Sequence, residues 1–143
     1  MIESFLLACF LIAKQPVFIS MDKETFIVKG FVQMYLGNQM DINNVKPIVK
    51  KSYKVLAVEG IHAHNGKPEI ELNYLDSNYE IINTNKNGEF QISLKPGTYT
   101  FFILKEDEEV YLNNFDGFGN YSHIEVKDNV ENIIIRDYQN AYF

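Results

Sequence analysis

Apolar and polar residues alternate with period two along much of the chain, most clearly between Thr84 and Ile103. Phe90, Ile92 and Leu94 fall on one face of an extended segment, and Tyr99, Phe101 and Ile103 do the same a few residues later. Such alternation places one face of a strand in a core. Asn87-Gly88 precedes the first run and Pro96-Gly97 separates the two. Gly accepts positive φ and Pro fixes its own φ, so both dipeptides favour turns. The stretch therefore reads as turn, strand, turn, strand.

The rest of the chain extends this pattern. Thr25–Leu36 predicts a strand with Phe26, Val28, Val32 and Met34 on one face. Gly30 within it marks a bulge or a close backbone approach. Ser52–Glu59 is apolar on both sides, as a central strand would be. Glu69–Leu75 alternates with Ile70, Leu72 and Tyr74 expected inward. Tyr79–Thr84, Val110–Leu112, Ser122–Lys127 and Asn132–Arg136 are further strand candidates. Gly37–Pro47 and Ile61–Pro68 read as loops, and the acidic Glu106–Glu109 as a solvated turn. Turn signals recur about every ten residues, and no amphipathic helical period interrupts them. The predicted fold is all-β, an antiparallel β-sandwich of about seven to nine strands.

Asn87-Gly88-Glu89-Phe90 followed by Pro96-Gly97-Thr98-Tyr99 resembles the carboxypeptidase regulatory-like domain, over residues 24–143. Gly37-Asn38-Gln39-Met40, the run Tyr111–Val126 and the C-terminal Asp137–Phe143 resemble one bacterial branch of that family. Members of that branch usually continue Gly-Asn-Gln-Met with Pro, where this chain has Asp41. The resemblance implies a transthyretin-like sandwich with an immunoglobulin-like Greek key, and a place in a bacterial envelope. It implies no activity, because fold and function are separable. A ureide-hydrolysing branch of the same fold ends in Tyr-Arg-Gly-Ser. This chain ends Asn140-Ala141-Tyr142-Phe143, which sets that reading aside.

Composition narrows the classes. At 143 residues the chain makes one domain with a proper core. Thirteen basic residues against 19 acidic ones give a net charge of −6, and no Lys/Arg cluster stands out, which argues against nucleic acid as partner. A single cysteine, Cys9, makes no intramolecular disulfide, so the core alone must hold the domain.

The first 20 residues differ from the rest. Phe5–Ala13 is an apolar run too short to span a bilayer as a helix but of the length of a signal-peptide core. Leu6-Leu7-Ala8-Cys9 also resembles a bacterial lipobox. Residues 1–20 are thus expected to be a cleaved export signal, with lipidation at Cys9 or an ordered N-terminal element as alternatives. The expected location is the periplasm or the outer surface, with membrane attachment only through a lipid on Cys9.

Candidate chemistry concentrates in Tyr111–Tyr121, where four aromatics alternate with Asn, Asp and Gly. Phe115, Asp116, Phe118, Asn120 and Tyr121 are the predicted binding residues. Flat aromatic faces beside amides and a carboxylate suit a carbohydrate or a protein strand. The competing reading has Phe115 and Phe118 plugging the open end of the sandwich. His62, His64 and His123 would make a metal site only if three ligands converge. Asn83, Asn85, Asn87 and Glu89 mimic a calcium loop in spacing but read as a turn, being short of carboxylates. Lys29, Asn132 and Glu71 are the members available for an isopeptide bond, which requires a buried, paired trio. Ser122 and His123 are strand neighbours and point to opposite faces, so no nucleophile–base pair forms there. The sequence therefore reads as a non-enzymatic module without a cofactor. The alternatives are a loop-assembled metal-dependent protein and a small subunit of a surface assembly.

Overall fold

The structure is a computed structural model and describes residues 24–38, 40 and 50–142. The expected signal segment 1–20, its Cys9, and most of the loop after Met40 lie outside the described residues. Among the described residues nine strands follow in order: β1 (Phe26–Asn38), β2 (Lys54–Glu59), β3 (Glu69–Glu71), β4 (Tyr79–Asn83), β5 (Glu89–Leu94), β6 (Gly97–Leu104), β7 (Glu109–Tyr111), β8 (Ile124–Val126) and β9 (Val130–Tyr142). They form two sheets, one ordered β5-β1-β9, the other β3-β7-β6-β2-β4 with β8 on the end of β6. The molecule is a β-sandwich. Every pair is antiparallel except β1 with β9, which run parallel.

The inner faces hold the alternating residues. Val28, Val32 and Met34 of β1, Phe90 and Leu94 of β5, and Ile135 of β9 are all buried. Across the gap lie Val55, Ala57, Tyr99, Phe101, Ile103 and Tyr111. The Phe90 and Phe101 rings meet with centroids 6.0 Å apart, joining the two sheets. Gly30 answers to both of its expectations. From Val28 to Gly30, β1 advances two residues while β9 advances three, from Val130 to Ile133. The extra residue is accommodated at Asn132, whose φ is 63°. A Cβ on Gly30 would stand 2.6 Å from the Ile133 carbonyl oxygen.

The outer face of the six-stranded sheet is buried too. Leu56, Val58, Thr100, Phe102 and Val110 are fully enclosed, although they alternate with the inner-face residues. Part of their cover comes from the segments after β2 and after β7, whose His62 and Tyr121 rings lie against Phe102. This is why β2 is apolar on both sides.

One expected alternation fails. Leu72–Tyr74 forms a single 3-10 turn after β3. Three residues per turn breaks the strand period. Tyr74, expected inward, is 71% exposed, and Leu75 takes the buried place.

Candidate functional site

The loop between β7 and β8 is fastened to the segment after β2 by backbone bonds. Leu112 N–H donates to the Pro68 carbonyl, Tyr121 N–H to His62 and His64 N–H to Gly119. Ala63 and Asn120 bridge, as do Phe115 and Tyr121. Asp116 N–H donates to the Asn120 carbonyl and Ser122 N–H to that of Asn114, so residues 114–122 form a tight hairpin-like tip.

Asp116 closes that tip. Its Oδ1 accepts the N–H of Phe118 at 2.7 Å and of Asn120 at 3.1 Å. Its Oδ2 accepts the Asn120 amide at 3.2 Å. These bonds, the Phe118 N–H first among them, hold the Asp116 carboxyl below its usual range. Charge-assisted bonds of this kind favour the ionised acceptor. Gly117 and Gly119, at φ 83° and 91°, carry the backbone around Phe118.

The aromatic residues divide sharply. Tyr121 is fully buried. Its ring meets Phe102 edge-on at 5.0 Å, and its hydroxyl donates to the Lys67 carbonyl at 3.0 Å. Burial pushes its phenol up to about 12. Phe115 lies against the His64 ring, tilted by 34° with centroids 4.1 Å apart, and remains partly exposed. Phe118 is 89% exposed and stands at the tip. The structure thus brings all five predicted residues together. Asp116, Asn120 and Tyr121 spend their polar groups on one another or on backbone. Tyr121, rather than Phe115 or Phe118, seals the outer layer.

The histidines turn to nearby backbone. His62 Nε2 meets the Glu59 carbonyl at 2.8 Å, and His123 Nδ1 the Tyr121 carbonyl at 3.1 Å. A carbonyl only accepts, so each of those nitrogens is the donor. His64 Nδ1 accepts the Gly66 N–H at 2.9 Å. Among the described residues no group of three or more His, Cys, Asp or Glu side chains is arranged to hold a metal ion. Asn85 in the calcium-like run is a turn cap: its Oδ1 accepts the N–H of Asn87 and of Glu89, each at 2.9 Å. Lys29 and Asn132 are exposed on the three-stranded sheet while Glu71 lies on the other, so no buried trio forms.

A buried polar cluster escaped the sequence reading. Asp137 faces inward on β9 and is almost fully buried. Tyr53 donates its hydroxyl to Asp137 Oδ2 at 2.7 Å, and Gln139 N–H donates to Oδ1 at 3.0 Å. Tyr111 OH accepts the Tyr138 N–H at 3.2 Å. Burial, then Asp137, drives the Tyr53 phenol far above its ordinary range. Burial pushes Tyr111 up to about 12. The available signal was the spacing of Ile133, Ile135 and Asp137, which puts a carboxylate at the next inward position of β9.

Comparison of the chain with protein-family models, with curated proteins and with solved structures finds no match.

Proposed function

We propose that the chain is a non-enzymatic β-sandwich module exported to a bacterial envelope, where it binds a carbohydrate or protein partner through the tip of residues 114–122. The carrying observation is Phe118, a large aromatic that is 89% exposed on a loop otherwise fixed by side-chain hydrogen bonds. A held loop loses little freedom on binding, which favours affinity. An exposed aromatic ring supplies stacking area for a sugar face or an apolar strand. The polar groups beside it serve loop geometry, and this supports binding over catalysis. Export rests on the apolar run Phe5–Ala13, and the envelope location also on the resemblance to the carboxypeptidase regulatory-like domain.

The test is Phe118→Ala, followed by thermal melting and by binding to an oligosaccharide panel and to native envelope extract. The expected result is an unchanged melting temperature with loss of the bound sugar or protein. Equal binding by both proteins overturns the reading, and so does a melting drop of several degrees with no partner for either.

A further inference from the structure

Among the described residues five strands stand at a sheet edge, β3, β4, β5, β8 and β9, and they differ in how they are guarded. Edges expose unpaired backbone groups and are ordinarily blunted by charge, bulges or short length. β3 and β8 have only three residues each, and β9 carries the bulge at Asn132 and the inward Asp137. The solvent side of β5 carries Glu89, Gln91 and Ser93. β4 carries one charge, Glu80, directly across from Ala57, and its outward face presents Tyr79, 43% exposed, and Ile81, 51% exposed, with no charge among them.

The backbone phase of β4 follows from its two ends. Thr84 N–H donates to the Tyr53 carbonyl, and Glu59 N–H to the Asn78 carbonyl. Between them the register pairs Val55 with Ile82 and Ala57 with Glu80. Hydrogen-bonded pairs alternate along an antiparallel ladder. Ile82 and Glu80 therefore turn their amides toward β2, while Tyr79, Ile81 and Asn83 turn theirs to the free edge. Among the described residues no strand pairs with that edge.

We propose that β4 is a self-association edge, on which a second copy of this chain adds its own β4 antiparallel about a two-fold axis at Ile81. The three free residues are symmetric about Ile81, so this register pairs every outward N–H and C=O: Ile81 with its counterpart, and Tyr79 with Asn83 of the other copy. Shifting the axis to Glu80 sets two carboxylates directly opposite, a repulsive cross-strand pair. Shifting it to Ile82 leaves Tyr79 unpaired. In the Ile81 register Glu80 faces Ile82 of the other copy, and no like charges are directly opposed. Such an isologous contact is self-complementary, as a closed dimer requires. Five-residue strands bury little area, so the dimer is weak and concentration-dependent.

The full chain, followed by sedimentation from about 10 µM to about 1 mM, is expected to shift from monomer toward dimer. Ile81→Lys, at a half-exposed site that tolerates the change, is expected to weaken association about tenfold or more while melting as the parent does. Amide exchange in the parent is expected to slow with concentration at Tyr79, Ile81 and Asn83 alone among the β4 amides. A chain that stays monomeric throughout overturns the proposal, as does association that survives Ile81→Lys. Protection of those amides that does not vary with concentration also overturns it, since the edge would then be covered by another part of the same chain.

Discussion

Tyr53 and Asp137 join the two sheets by one buried hydrogen bond, hydroxyl to carboxylate oxygen at 2.7 Å, across 84 positions of sequence. Tyr53 leads into β2 and Asp137 lies on β9, so the bond fixes how the last strand sits over the six-stranded sheet. Tyr53→Phe leaves Asp137 Oδ2 buried without that donor, and an unsatisfied buried acceptor costs about 1–3 kcal/mol. Asp137→Leu should cost more, because it strands both the Tyr53 hydroxyl and the Gln139 N–H. Urea unfolding of the two variants checks the order. Equal stability of all three proteins would show that the bond contributes nothing net.

Alkaline stability follows from the same region. Tyr53, Tyr111 and Tyr121 all have phenols raised above the ordinary value of 10.0, each chiefly by burial. The folded chain therefore holds these protons more tightly than the unfolded chain does. Their contribution is complete below pH 10 and is lost as pH rises through the folded values, about 12 for Tyr111 and Tyr121. Unfolding in alkali should begin above pH 10, and the ionisation of these three phenols should accompany loss of the far-ultraviolet strand signal. Full ionisation of all phenols near pH 10 in a folded protein would contradict the burial described above.

Local periodicity carried most of the fold. Phe90, Leu94, Tyr99, Phe101 and Ile103 are buried as their alternation implies, and Gly30 stands at a bulge and a close approach. The two-sided β2 was legible because a strand covered on both faces has no polar side. What failed was non-local. The parallel pairing of β1 with β9 joins the two ends of the domain, and nothing within either strand specifies the partner's direction. β9 runs 13 residues through Asp137 because Tyr53 satisfies the carboxylate there, a donor invisible in the local pattern. Tyr74 was misplaced because a 3-10 turn and a short strand share the same few residues. The candidate loop was found by composition, but composition did not separate Tyr121, which completes the outer layer, from Phe118, which faces solvent.

Gly30→Ala tests the close approach of β1 and β9. The added Cβ would meet the Ile133 carbonyl oxygen at 2.6 Å and the Phe90 ring at 2.8 Å. Neither the bulged backbone nor a core ring yields easily, so a destabilisation of about 1–3 kcal/mol is expected. Phe101→Ala, which empties space beside Phe90, should cost about 3–5 kcal/mol. Phe118→Ala should stay within about 0.5 kcal/mol, as exposed sites do. Thermal melts of the three variants check the ranking, and a Phe118→Ala loss comparable with that of Phe101→Ala would reverse the assignment of its exposure.

Asp116 offers the sharpest separation of loop geometry from loop charge. Asp116→Ala removes the acceptor for the Phe118 and Asn120 N–H groups and for the Asn120 amide, freeing the tip around Phe118. Asp116→Asn keeps an oxygen able to accept both N–H groups while discarding the charge. If the loop matters as a held platform, Asp116→Asn should bind the partner nearly as the parent does, and Asp116→Ala should bind more weakly. Both should melt within about 1 kcal/mol of the parent, because the tip is solvent-facing and outside the core. Amide exchange at Phe118 and Asn120 reads the geometry directly: it should quicken in Asp116→Ala and change little in Asp116→Asn. Unaltered exchange at both amides in Asp116→Ala would show that Gly117, Gly119 and the bridge between Phe115 and Tyr121 hold the tip without the carboxylate.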